Sequence, residues 1–210
     1  MKYFALLNSL FKFVIHTTKK YNMDESHGLK HSMDVHYFAS KIYEHELSEN
    51  PKLSDQLNII YTSAILHDMC DKKYMNQDEG IMHIKDFLSD KLSPFEITTV
   101  ENIISTMSYS TVKKYGFPDL GEYQTAYHIV READLLAAYD FDRCVIFQMT
   151  QNNDNYEDSI KVSIDLFENR ILRYIDDQLF TMRYTKLLSK NLHISAVNKL
   201  NGIKKLYKIR

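Results

Sequence analysis

Apolar residues recur every three or four positions along nearly the whole chain, and the polar breaks between these stretches are few and short. That spacing predicts amphipathic helices from end to end. A first segment, roughly 3 to 20, gives way to the polar stretch Asp24-Glu25-Ser26-His27-Gly28. A second helix begins near Lys30 and stops before Asn50-Pro51, with Val35, Phe38 and Ile42 on its apolar stripe and His31 at its start. A third starts near Ser54 or Asp55 and sets Leu57, Ile60, Ala64 and His67 on one face. A fourth spans about Gln77 to Leu88. Ser93-Pro94-Phe95-Glu96 combines an N-cap serine, a first-turn proline and a glutamate three residues after the cap, which predicts a capping box and a helix through Ile104. Ser108 to Gln124, holding Gly116, Pro118 and Gly121, reads as the longest irregular region and a candidate substrate loop. From about Thr125 the helical spacing resumes with Val130, Asp134, Ala137 and Phe141. Asn152 to Asn155 interrupts it, and a long helix is expected from about Tyr156 to Lys190.

These elements predict an all-α chain forming one domain over 1–210, with the helices of 156–200 completing its core. Only 5 Gly and 3 Pro leave few sites for tight turns, consistent with long helices, and 210 residues suffice for one sizeable core. A formal charge of −2 exerts little pull on nucleic acid or an anionic membrane, so a small partner is expected. Cys70 and Cys144 are too few for a disulfide framework or a zinc cage, which points to a reducing, cytoplasmic setting. Asn8, Ser9 and Lys12 interrupt the first apolar run, which reads as an amphipathic helix rather than a secretion signal, and no run is long enough for a membrane span. The basic tail from Lys199 to Arg210 reads as a solvated terminus rather than a nucleic-acid arm. The long C-terminal helix offers a surface for a homodimer.

Four residues carry the candidate chemistry. His31, the adjacent pair His67-Asp68 and Asp134 each fall on an apolar stripe. A single buried histidine or aspartate is ordinarily satisfied by hydrogen bonds. Two imidazoles and two carboxylates, each unpaired charge costing several kcal/mol when buried, need a shared explanation, and one divalent ion with mixed nitrogen and oxygen ligands supplies it.

In that order, His31, His67-Asp68 and Asp134 resemble the HD-domain superfamily of metal-dependent phosphohydrolases. Ser26-His27-Gly28-Leu29-Lys30-His31 is similar to the family's first histidine motif, Ala64-Ile65-Leu66-His67-Asp68 to its namesake motif, and Ile129-Val130-Arg131-Glu132-Ala133-Asp134 to its final aspartate motif; together they cover about 24–145. The resemblance implies an all-α HD-type fold and one divalent ion, Mn²⁺, Mg²⁺, Fe²⁺ or Zn²⁺, held by His31, His67, Asp68 and Asp134. It implies hydrolysis of a nucleotide or another small phosphate ester by water that the ion activates, with Asp68 taking part in catalysis as well as ligation. His27, one turn before His31, is expected to support the site or the phosphate, and Asp71 to position water or move its proton. Among Lys72, Lys73, Lys113, Lys114 and Arg131, the cations expected at the substrate are Lys113 first, then Arg131 and Lys72; Ser108 joins them because Ser108-Tyr109-Ser110 falls where similar enzymes carry a serine-aromatic motif. His83 and His128 are spaced poorly for a second metal and are expected outside the centre, and Met69-Cys70-Asp71 lacks the acidic pair of alarmone hydrolases. The alternatives are a two-metal phosphodiesterase or oxygenase, and a non-catalytic nucleotide- or metal-binding module.

Overall fold

A computed structural model describes residues 2–151 and 155–208. The fold is all-α, with no strand among the described residues. The contacts gather the chain into two compact units, one of residues up to Met23 together with His27–Asp134, the other of Asp24–Ser26 with the residues from Leu135 onward.

In the first unit, α1 (Lys2–Lys20), α2 (Leu29–Glu49) and α5 (Pro94–Thr106) pack around α3 (Leu57–Leu66), while α4 (Gln77–Leu88) packs on α5. Every residue of α3 from Ile59 to Leu66 is buried, including Thr62 and Ser63. A helix that is apolar all round belongs in the centre of a core, and its neighbours meet it with Leu10 and Val14 of α1, Val35, Ala39 and Ile42 of α2, and Val100 and Ile103 of α5. A 3-10 turn over Pro51–Gln56 precedes α3, so the regular helix starts slightly later than the sequence suggested. The capping box of α5 forms as expected: Ser93 Oγ accepts from the Glu96 amide, and the Ser93 amide donates to Glu96 Oε2 at 2.8 Å.

The expected loop of 108–124 is partly helical. Ser108 caps α6 (Tyr109–Tyr115) by accepting from the Thr111 amide, and Gly116, at φ 78°, ends it in a conformation that suits glycine. Residues 116–120 remain irregular before a 3-10 turn, Gly121–Tyr123, and α7 (Gln124–Ala137), whose part through Asp134 belongs to this unit.

In the second unit α7 stops at Ala137, and Phe141, expected on its stripe, instead opens α8 (Phe141–Gln151). Asp140 accepts from the Asp142 amide at 3.1 Å and so starts a new helix. Of the expected polar break, residues 152–154 lie outside the described residues; Asn155 caps α9 (Tyr156–Asn169) by accepting from the Asp158 amide. The single long helix expected over 156–190 is instead two, α9 and α10 (Arg183–Tyr207), joined by a 3-10 turn and a bend with Gln178 at φ 54°. Between them Ile171, Tyr174, Leu179 and Phe180 are all buried, so a bent chain buries apolar side chains whose spacing also suited a helix. Phe141 packs edge-on against Phe167, and Arg143 donates to the Ser26 carbonyl, tying 24–26 to this unit. The basic tail is helical through Tyr207: Lys199 pairs with Asp142 at 2.8 Å and Lys204 with Glu168 at 2.6 Å.

Gly80 of α4 is buried where a Cβ would lie 2.8 Å from Cα of Cys70 and 2.9 Å from Sδ of Met75. Gly80→Ala should gain about 1 kcal/mol in helix propensity yet destabilise the protein by a net of about 1–3 kcal/mol through overpacking. Denaturant unfolding measures the sign, and a more stable variant would contradict the close packing.

Candidate metal centre

All four expected ligands meet in the first unit. His31 stands in the first turn of α2, and the buried stripe Val35, Ala39 and Ile42 turns that face toward α3. His67 caps the C-terminus of α3, and there its Nδ1–H donates to the Ala64 carbonyl at 2.9 Å. That carbonyl would have received the Asp68 amide in a continuing helix, so the imidazole competes with the backbone just where the helix ends. The same bond fixes the tautomer and leaves the Nε2 lone pair facing the cluster.

Nε2 of His31 lies 3.1 Å from Nε2 of His67, and 3.3 Å from both Oδ2 of Asp68 and Oδ1 of Asp134; Nε2 of His67 lies 3.3 and 3.6 Å from the same two oxygens. Donors about 2.1 Å from one ion stand roughly 3.0 Å apart in cis-octahedral geometry and roughly 3.4 Å apart in a tetrahedron. His31, His67 and Asp134 form one group with ligand atoms within 4.8 Å of one another, and Asp68 Oδ2 lies 3.3 Å from both imidazoles, spacings that suit donors to a small divalent cation. The imidazoles are 2% and 4% exposed and the carboxylates of Asp68 and Asp134 14% and 26%, so the cluster opens toward solvent on its oxygen side.

The electrostatics ask for positive charge at the same point. Burial opposes a charged imidazole at His67, but the Asp68 carboxylate and hydrogen bonds to Asp134 and Asp68 outweigh it and push the pKa up to about 10. Burial likewise opposes ionisation of the two carboxyls, yet His67 and His27 hold Asp68 well below the usual carboxylate range, and hydrogen bonds from His31 and His67 do the same for Asp134. In the absence of a metal, the proton on His67 supplies that positive charge.

Beyond His67 the chain turns in steps of three: the Met69 amide bonds to Leu66, Asp71 to Asp68 and Tyr74 to Asp71. Residues three apart align on such a path. His27, Asp68 and Asp71 consequently form a second group with ligand atoms within 4.8 Å of one another. His27 Nδ1 is 3.0 Å from the Tyr74 hydroxyl, and Lys73 Nζ is 3.1 Å from His27 Nε2 and 3.4 Å from Asp71 Oδ2. His27 and Asp71 thus lie beside the ligands, with Lys73 and Tyr74 added. The three-residue spacing from Asp68 through Asp71 to Tyr74 was the available signal. Between Asp68 and Asp71, the Cys70 thiol is buried, and burial followed by the two neighbouring carboxylates pushes its pKa up to about 12.

The other expected substrate residues make contacts within the protein or face solvent. Lys72 is exposed, and it is Lys73 that reaches His27. Lys113 is exposed over the Tyr109 ring and donates to its hydroxyl at 3.1 Å. Ser108 caps α6. Arg131 is buried, pairs with buried Glu132 at 2.8 Å and sits over the Phe117 ring at 4.7 Å. His128 belongs to that network, 3.3 Å from the Arg131 guanidinium, with burial and then Arg131 pushing its pKa down to about 4. His83 meets the Tyr21 hydroxyl at 3.1 Å. Neither histidine is in a candidate metal cluster among the described residues.

No family model and no curated protein matches the chain. A crystal structure of a Lactobacillus plantarum protein, a Northeast Structural Genomics target, is similar to it over 98% of both chains, with a TM-score of 0.72 and 15% identity. At that identity the likeness concerns the fold alone. No helix among the described residues is long and apolar enough to cross a membrane.

The raised His67 pKa sets a pH dependence. In chelated protein the folded state keeps its proton between the unfolded pKa of 6.5 and about 10, so this part of the stability is full below pH 6.5 and is lost as pH rises to 10. Denaturant melts of chelated protein should show that decline, and His67→Gln should flatten it. A flat profile for the wild type would mean the histidine does not hold the proton.

Proposed function

We propose that the protein is a metal-dependent phosphohydrolase acting on a nucleotide or another small phosphate ester. The observation that carries this reading is that Nε2 of His31 and Nε2 of His67 lie 3.1 Å apart and each 3.3–3.6 Å from Asp68 Oδ2 and Asp134 Oδ1, with the carboxylates on the side that meets solvent. These side chains would hold one divalent ion, which when bound acidifies water and withdraws charge from a phosphoryl oxygen. Oxygen and imidazole donors suit Mn²⁺, Fe²⁺, Mg²⁺ or Zn²⁺.

The rest of the chemistry falls to the protein. His67 is fixed by the Ala64 carbonyl, so its lone pair is oriented before any ligand arrives. Asp71, three residues from Asp68 and grouped with it and His27, is placed to take the proton of the attacking water. His27, braced by the Tyr74 hydroxyl, orients that carboxylate's surroundings and the incoming phosphate. The resemblance of the His31, His67-Asp68 and Asp134 motifs to HD-type phosphohydrolases agrees with these roles, and the likeness of fold to another all-α protein neither adds to nor limits them.

Purified protein is expected to carry about one divalent ion per chain, and a chelator should abolish release of phosphate or pyrophosphate from a nucleotide panel. Asp68→Ala should lose the metal and at least about a hundredfold in activity, whereas Lys113→Ala should keep both. Metal content by mass spectrometry and product release decide. Bound metal with no turnover on any phosphate ester would make the protein a binding module, and unchanged metal in Asp68→Ala would break the ligand assignment.

A further inference from the structure

Asp68 lies between two sets of potential ligands, His31, His67 and Asp134 on one side and His27 with Asp71 on the other. A carboxylate shared between two such sets is the ground plan of a two-metal centre, whose ions stand about 3.5–4 Å apart and divide the charge of a phosphoryl group between them. The second set differs from the first in one respect. An ammonium is already seated in it.

Nζ of Lys73 is 3.1 Å from His27 Nε2 and 3.4 Å from Asp71 Oδ2. An ammonium has hydrogens to give and no lone pair, so His27 Nε2 must accept, and its hydrogen therefore sits on Nδ1, donated to the Tyr74 oxygen 3.0 Å away. Both ring nitrogens of His27 are thus engaged, Nε2 by Lys73 and Nδ1 by Tyr74, and neither has a lone pair left for a second metal. The lysine is also tethered: its amide donates to Asp71 Oδ1 at 2.9 Å, so backbone and ammonium grip the same carboxylate. Its side chain is 48% exposed while Asp71 is 17% exposed, which puts the ammonium on the open side of the pocket, as the carboxylates of Asp68 and Asp134 also are.

Taking the metal site proposed above as given, we infer that the Lys73 ammonium is a built-in second cation: it occupies the His27–Asp68–Asp71 position, keeps the centre to one divalent ion, and meets the substrate's phosphoryl oxygen where a second ion otherwise would. A second divalent ion and the ammonium would repel at this separation, so only one can hold the position. Lysine serves as a monovalent point charge for phosphate, needing no particular fork geometry.

The test uses the full chain, stripped with chelator and titrated with MnCl₂ alone, read by calorimetry and by the electron paramagnetic resonance of bound Mn²⁺. Wild type should take up about one ion per chain, Lys73→Ala about two with the broadened signal of a coupled pair, and Lys73→Ala combined with Asp71→Asn about one again. Inorganic phosphate should bind the singly loaded Lys73→Ala at least about tenfold more weakly than wild type. Circular dichroism checks that each variant is folded, and Lys73→Arg, which keeps the charge, should remain at one ion. Two ions in wild type, one in Lys73→Ala, or undiminished phosphate affinity would overturn the inference while leaving the first metal site standing. No bound ion in wild type would overturn that site and the inference together.

Discussion

Two imidazoles 3.1 Å apart, each 3.3–3.6 Å from the carboxylates of Asp68 and Asp134, cannot keep their lone pairs to themselves. Something positive has to stand between them. Without a metal that is a proton, which the neighbouring carboxylates hold on His67 up to about pH 10; the divalent ion proposed above would take its place. Removing any one donor would leave the other three facing an uncompensated charge, which is why the residues act as a set rather than as four contributions.

The geometry behind the set begins with α3. Its eight consecutive buried residues from Ile59 to Leu66 make it the pillar of the first unit, and a pillar holds the chain leaving its end in a fixed place. His67 stands at that end, where its ring draws off the Ala64 carbonyl and turns the chain from α-helical to three-residue steps. Those steps line up Asp68, Asp71 and Tyr74, while Gly80 lets α4 close on Cys70 and Met75 and keeps the stepped segment in register. The oxygen-rich rim then faces solvent and the nitrogen donors face the core, so charge is available where a solute can reach it.

Much of this was legible in the sequence. The all-α class comes from periodicity, and the helix starts at Ser93 and Gln77 and the stop before Asn50-Pro51 fall where capping chemistry puts them. The four candidate ligands could be read because His31, His67 and Asp134 lie on apolar stripes, with Asp68 beside His67, and because their motifs resemble a known family. Cations at the rim could not, since periodicity says nothing of how a lysine bends: Lys73 rather than its neighbour Lys72 folds back on Asp71, and Arg131, on the expected helix, turns inward to Glu132. Ser108 was expected as part of a loop because glycine and proline come after it, but the hydroxyl starts a short helix that Gly116 ends. The break of the C-terminal region into α9 and α10 also escaped the pattern, because Ile171, Tyr174 and Leu179 are spaced for a helix and equally for a bend that buries them.

The buried thiol of Cys70 has a chemical consequence of its own. Burial, and then the carboxylates of Asp68 and Asp71, push its pKa up to about 12, so in the metal-free protein the S–H keeps its proton at ordinary pH. Sulfur in that state also reacts slowly with peroxide. Cys70 is therefore expected to resist alkylation and peroxide in the folded protein, where an exposed, ionised cysteine would not.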